Sequence, residues 1–304
     1  MKLYYKNVSK SFFIYNVCMK LQIGDKIGII APSGVVFDKE GFHQKVQVLI
    51  QLGFKVEVFP SVLKSFDFLS ASDNERLEDL HNAFLNPEIK AILCARGGYG
   101  ALRLVDKIDY DLIKNNPKIF IGFSDITILH VAFYKHANLK TFHAPMLLSG
   151  FADCAQKDCL DTINGFKKEI LGKKALIEGE AQGILWGGNL SSLVCCLCGD
   201  EFIPNEDIIL FLEDVCEPLY KLDKMMTQIL RHKTLMSKIK GVVFGDFILN
   251  DKKEKQRLNF WLDIWAKEFN VPCSLGFKIS HGKNNEAIPF GVYSKLIGTK
   301  ICLL

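Results

Sequence analysis

The chain has 304 residues, 49% of them hydrophobic and 24% charged, enough to bury a substantial core without covalent staples and in keeping with two domains. Its 38 basic and 34 acidic residues leave a net charge of only +4, scattered along the chain rather than gathered in a stripe, so nucleic acid is not an expected partner. The densest basic run, Lys252-Lys253-Glu254-Lys255, contains an acid and reads as a solvated loop.

Lys6 and Lys10 interrupt any apolar stretch at the start, and no small-residue cleavage site follows, so no secretory signal is expected. The uncharged run from Ile184 to Gly199 holds Gly, Asn and Ser and is too short to span a bilayer. No membrane partner and a cytoplasmic location are the expectation. Cysteines at 18, 94, 154, 159, 195, 196, 198, 216, 273 and 302 fall largely in apolar runs. They read as free, buried small hydrophobes in a reducing compartment, not as zinc ligands or a redox motif.

The first half alternates two periodicities. Residues 26–34 read as a buried strand ending in the turn Ala31-Pro32-Ser33-Gly34. Phe42, Val46, Val48, Leu49 and Leu52 then recur at helical spacing over 38–52. Residues 54–59 alternate as a strand closed by Pro60, and 73–86 read as a helix capped by Ser72 or Asp73. A third strand, 89–94, runs into Arg96-Gly97-Gly98-Tyr99-Gly100. Helical pieces follow at 101–106 and 110–115, and a fourth strand, 118–123, leads into Ser124 and a helix reaching about His136. Such alternation predicts a parallel sheet flanked by helices, with functional groups beyond the carboxyl ends of its strands.

Residues 151–180 change character and read as a helical linker. Strands are then expected at 181–186, 207–212, 241–247 and 293–301, with helices at 189–198, 218–231 and 256–269. The predicted fold class is α/β: an N-terminal parallel-sheet domain over 1–150 and a C-terminal α+β domain over 181–304.

Four segments carry chemistry. In Ile121-Gly122-Phe123-Ser124-Asp125, a buried strand turns at a glycine into a serine and then a helix. That is the layout of a nucleophile elbow, though Asp125-Ile126 departs from G-x-S-x-G and an ordinary serine N-cap remains the alternative. The paired glycines Gly97 and Gly98 allow backbone N–H groups to face an anion, as an oxyanion hole requires. A phosphate loop is the rival, but its Lys-Ser/Thr is missing. Leu212-Glu213-Asp214 ends an apolar strand in acids, one of which can orient a histidine. Ser280-His281-Gly282-Lys283-Asn284 offers a loop histidine. Of the seven histidines, His130 and His136 fall within a helix, and His143 in Phe142-His143-Ala144-Pro145 is the competitor to His281. No histidine pair has metal-ligand spacing, so no metal is expected.

Taken in order, IGIIAPSG, ARGGYGALRLVDKIDYDLIKNNPKIFIGFSDIT, FHAPM, GILWGGNLSSL, LFLEDVCEPLYKLDKMMTQIL, GVVFGDF and SLGFKISHGKNNEAIPFGV resemble the LD-carboxypeptidase family of serine peptidases from about residue 25 onward. That family includes muramoyltetrapeptide carboxypeptidases and microcin C self-immunity peptidases. The resemblance implies a flavodoxin-like or glutamine-amidotransferase-like N-terminal domain, a C-terminal domain with a barrel-like sheet, and a site between them. It implies Ser124 as nucleophile, His281 as base, Glu213 as its orienting acid, and the backbone N–H groups of Gly98 and Asp125 as oxyanion donors. It implies a murein tetrapeptide as substrate and no cofactor, and it leaves a homodimer open. Arg96 and Lys221 are candidates for the substrate carboxylate. Ser280-His281 stands where the family usually has Gly-His, and Ile-Pro-Phe-Gly replaces Leu-Pro-Leu-Gly. Two alternatives are a microcin-immunity-type peptidase acting on peptidyl nucleotides, with Trp186 as its stacking aromatic, and a non-catalytic binding protein on the same fold. The interval of only 89 residues from Ser124 to Glu213 favours the murein reading over the first.

Overall fold

The computed structural model describes residues 19–155, 158–165, 167–282 and 285–304. The signal-peptide reading of the first residues, Cys18, and Lys283-Asn284 of the histidine motif lie outside the described residues.

Apolar runs bounded by turns become the strands of the first sheet: β1 (Lys26–Ile30), β2 (Lys55–Val58), β3 (Ile89–Cys94), β4 (Ile119–Gly122) and β5 (Thr141–His143). They run parallel in the order β2-β1-β3-β4-β5. Burial of every residue of β4 explains its unbroken hydrophobicity, the mark of a strand covered on both faces. The sheet is flanked by α1 (Lys39–Gln51), α2 (Asp73–Leu85), α3 (Tyr110–Asn115) and α4 (Thr127–Ala137). Of the two candidate caps for α2, Ser72 is the one used: it closes a capping box with Glu75. A sixth strand, Ile288–Phe290, pairs antiparallel with β5, so the far end of the chain returns to complete the first sheet. Periodicity cannot announce a three-residue strand of that kind, and the sequence reading lacks it.

Residues 151–180 are only partly helical. They hold α5 (Phe151–Ala155) and α6 (Cys159–Ile163), then β6 (Glu169–Leu171) and β7 (Lys174–Ile177), which form the two outer edges of the second sheet. That sheet has eight strands in the order β6-β14-β13-β8-β9-β10-β11-β7. Its members are β8 (Glu180–Asn189), β9 (Ile208–Val215), β10 (Ile239–Ile248), β11 (Cys273–Leu275), β13 (Tyr293–Ile297) and β14 (Lys300–Leu303), with β12 being the returning strand Ile288–Phe290. β8 to β11 are parallel, and the edges are antiparallel. The helices are α7 (Leu190–Val194), α8 (Leu219–Arg231), α9 (Lys233–Lys238) and α10 (Lys252–Phe269). The lysine run expected as a loop opens α10 instead, because Asp251 caps the helix by accepting from Glu254 N–H.

No described helix is long and apolar enough to cross a membrane. Two cysteine expectations change. Cys154 and Cys159 form a disulfide between α5 and α6. Cys195 and Cys198, the ends of a C-x-x-C spacing that the sequence reading overlooked, are free and exposed.

Candidate active site

β4 delivers Ser124 at the carboxyl edge of the first sheet. Its backbone sits at φ 64°, a left-handed conformation that side chains other than glycine rarely adopt. The turn is too tight for a side chain at Gly122, where a Cβ would come within 2.7 Å of Ile126. Strain of this kind persists only where the surroundings over-determine it, and it lifts the hydroxyl clear of the strand.

The turn after β3 lies against this serine. A Cβ on Gly97 would fall 3.0 Å from Ser124 Oγ and 3.4 Å from Asp125 N, so only glycine permits the approach. Gly34 N donates to Gly97 O at 3.2 Å, and Arg96 Nε donates to the same oxygen at 3.2 Å. In a trans peptide the carbonyl and the next N–H point in opposite directions, so holding Gly97 O frees Gly98 N–H on the other side. Gly98 itself has φ 117° and is exposed. The sequence Arg-Gly-Gly thus makes a turn whose Gly97 carbonyl is tied down by Gly34 and Arg96.

β9 carries Glu213 fully buried, and its Oε2 lies 2.6 Å from Nδ1 of His281. The histidine ring packs on Phe123, beside the serine, with centroids 4.7 Å apart. Its loop is shaped by Gly282 N–H donating to Ser280 Oγ at 2.7 Å and Ser280 N–H donating to Asn285 Oδ1 at 3.2 Å. Among the described residues, no hydrogen bond joins His281 to Ser124. The serine follows a strand of the first sheet, Glu213 lies on a strand of the second, and His281 sits in the loop that runs from β11 of the second sheet to β12 of the first.

His143 is fully buried among Phe123, His130 and Phe211, with neither ring nitrogen bonded among the described residues. Burial holds it well below the ordinary histidine range, and among the described residues it pairs with no carboxylate. Asp214, beside Glu213, faces the backbone instead. It accepts from Asn189 Nδ2, Ser191 N and Val215 N, while burial, then the adjacent Glu213, pushes its carboxyl up to about 6.

Three substrate-contact candidates are placed less favourably. Trp186 is fully buried on β8, and a side chain inside the core offers no face to a ligand. Lys221 is exposed on α8 and pairs with Glu217 at 3.5 Å. Arg96 braces the Arg-Gly-Gly turn, donating from Nη1 to Val35 O at 2.9 Å and lying 5.6 Å over Phe37. Sequence reasoning missed a buried polar group behind this turn, made by Ser33, Arg76 and the side chain of Asp125. Its only signal was a serine in the loop after β1 and an arginine on the apolar side of α2. Among the described residues, no cluster of three side chains could hold a metal.

A positive-φ serine at a strand end, facing a glycine turn across from a carboxylate-bound histidine, fits the serine hydrolases of the α/β class. Models of the LD-carboxypeptidase N-terminal and C-terminal domains match residues 27–144 and 182–296. The probable murein peptide carboxypeptidase of Bacillus subtilis is 35% identical over 283 residues, covering 89% of this chain and 88% of that protein. The crystal structure of muramoyltetrapeptide carboxypeptidase from Oxalobacter formigenes superposes with a TM-score of 0.77 at 29% identity, covering 91% of this chain and 97% of that one. The structure of MccF in complex with glutamyl sulfamoyl guanosine gives a TM-score of 0.85 at 22% identity, covering 95% and 99%, a likeness of fold. The chain belongs to the LD-carboxypeptidase family, and it is a serine carboxypeptidase.

Proposed function

We propose that this enzyme hydrolyses the bond before the terminal D-alanine of murein tetrapeptides, in peptidoglycan recycling, using Ser124, His281 and Glu213. The observation that carries the reading is His281, held at 2.6 Å by buried Glu213 and packed on the residue next to the strained Ser124. His281 takes the proton of Ser124 Oγ as that oxygen attacks the scissile carbonyl. Glu213 fixes the tautomer with Nδ1–H directed at its carboxylate, leaving Nε2 as the base, and stabilises the imidazolium that forms. The N–H groups of Gly98 and Asp125 receive the oxyanion, at about 3–4 kcal/mol per donor. His281 then protonates the departing D-alanine amine, and water attacks the acyl-enzyme by the same route in reverse.

Similarity to named murein peptide carboxypeptidases supports this substrate. The microcin-immunity reading has less support, because the Trp186 it would stack on a nucleobase is buried in the core. The test is to incubate the pure protein with murein tetrapeptide and follow D-alanine by mass spectrometry. Release of D-alanine together with tripeptide is expected. An intact tetrapeptide, alongside cleavage of a peptidyl nucleotide, would transfer the assignment to the other branch.

A further inference from the structure

Behind the Ser124 turn lies a polar cluster that the acyl-transfer steps do not use. Arg76 on α2 has no exposed side-chain surface. Its Nη1 donates to the carbonyl oxygens of Pro32, in the loop after β1, and of Gly100, in the oxyanion turn, the latter at 3.0 Å. Its Nη2 donates to Asp73 Oδ1 at 2.7 Å. Asp125, the residue after the nucleophile, is 5% exposed, and one of its oxygens accepts from Ser33 Oγ at 2.6 Å and from Ala101 N at 2.9 Å. Ser33 is fully buried.

Gly100 O and Ala101 N–H are the two ends of a single peptide unit. Arg76 grips one end and Asp125 the other. The approach is close enough that a Cβ on Gly100 would lie 2.9 Å from Arg76 Nη1, at a φ of 133°. The oxyanion turn is therefore pinned at both limits: Gly97 O by Gly34 and Arg96, and the Gly100–Ala101 peptide by Arg76 and Asp125. Because Asp125 follows Ser124 directly, its carboxylate ties the nucleophile's turn to the turn that carries Gly98. Burial pushes the Asp125 carboxyl above its usual range, and the hydrogen bonds from Ser33 and Ala101, with the nearby Arg76, offset part of that cost.

We propose that the Asp125 carboxylate, with Ser33 and Arg76, is a positioning device that sets the spacing between Ser124 Oγ and the Gly98 N–H. The proposal rests on Ser124 as nucleophile and assigns the Asp125 side chain a task separate from that of its backbone N–H. The device acts on the transition state and not on ground-state binding, since only the developing oxyanion needs that spacing.

The experiment compares Asp125→Ala, Asp125→Asn and Ser33→Ala with wild type and Ser124→Ala. It reads kcat and KM on murein tetrapeptide, the second-order rate of labelling by an alkyl fluorophosphonate, and Tm. Asp125→Ala is expected to lower kcat and labelling together by about 100-fold, the scale of one lost oxyanion donor, with KM nearly unchanged. Asp125→Asn keeps an acceptor for Ala101 N–H and is expected to recover about tenfold of that loss. Ser33→Ala removes one hydrogen bond and keeps the fold, with an expected fall of about fivefold in both rates. If Asp125→Ala does not fold, the Asn and Ser33 variants decide. A lower Tm with wild-type kcat and labelling in the variants that fold would overturn the positioning role. Labelling of Ser124→Ala at the wild-type rate would instead overturn the nucleophile, so the two failures are distinguishable.

Discussion

Ser124 and the turn opposite it are gripped by groups from three loops and a helix: Gly34, the half-buried Arg96, and the buried Arg76, Ser33 and carboxylate of Asp125. His281 rides on a loop, and among the described residues its ring makes one hydrogen bond, to Glu213. The difference follows from what each side must do. In the proposed mechanism oxyanion donors work only if fixed before charge develops, which a locked backbone serves. The base must swap a proton between the serine, the leaving amine and water, so a single orienting contact suffices and some freedom at Nε2 is useful. The largest effects should come from the reacting groups themselves, and the two sides should then respond differently to substitution and to acid.

The most severe expected change is Ser124→Ala, which should cut kcat by about 10⁴-fold or more, because no other group at the site can form the acyl-enzyme. Turnover near wild type in the pure variant would remove the nucleophile. Ser124→Gly should be equally inactive yet more stable than the alanine variant by about 1 kcal/mol, since glycine adopts a φ of 64° without strain. Thermal denaturation of the pair measures that difference. Next comes Glu213→Gln. The amide cannot stabilise an imidazolium, and kcat should fall by about 10²–10⁴-fold with KM little changed. A loss of only a fewfold would mean that the base is oriented from elsewhere.

Acid separates the two sides by stability. His130 lies behind β4, fully buried, with Nε2 bonded to Gly122 O at 2.9 Å. Burial lowers it from 6.5 to about 4. Its charged form is therefore favoured in the unfolded chain, so its contribution to stability is fully present above about 6.5 and is lost as pH falls through the window down to about 4. The loss is on the order of 3 kcal/mol. His143, against which it packs, is depressed by burial as well and adds in the same direction. Unfolding free energy measured across that window should flatten in His130→Gln. An unchanged slope would show that protonation of this histidine does not drive acid unfolding.

What the residue pattern revealed divides along the same line. The alternation of β1 to β4 with α1, α2 and α4 is legible because β1, β3 and β4 are largely apolar runs, β2 alternates, and α1 and α2 have capped starts at Asp38 and Ser72. The motifs RGGYG, GFSD, LED and SHG are legible because reacting groups need particular residue types beside glycine. Hidden were the pairings that only three dimensions make: β12 returning to β5, β6 and β7 flanking the second sheet, and the Arg76–Asp125 grip on one peptide. Arg76 shares the face of Leu80, Ala83 and Phe84 on α2, but an arginine there reads as a surface cation until the carbonyls it reaches are seen. Trp186 misled in the opposite way, an aromatic that suggested stacking but packs in the core.

The smallest expected effects set Arg96 against Lys221, the two cations considered for the substrate carboxylate. Arg96 is spent on backbone: Nε on Gly97 O, Nη1 on Val35 O, with its plane over Phe37. Arg96→Ala removes a support of the oxyanion turn, and Gly34 N–H remains as the other. Losing one of two neutral acceptor contacts amounts to about 1 kcal/mol, so kcat should fall by about fivefold with KM steady. Lysine at this position restores charge but cannot reproduce two donors in a planar fork, so Arg96→Lys should rescue little. Lys221 is half exposed, and its contact with Glu217 is a surface ion pair of the kind that contributes little. Lys221→Ala should leave kcat and KM within about twofold of wild type and Tm within experimental error. The discriminating measurement is KM, because a residue that binds the substrate carboxylate raises KM when it is removed, whereas one that holds the turn lowers kcat. A tenfold or greater rise in KM for Lys221→Ala would bring α8 into the substrate site, and the same rise for Arg96→Ala would give the oxyanion turn a second task.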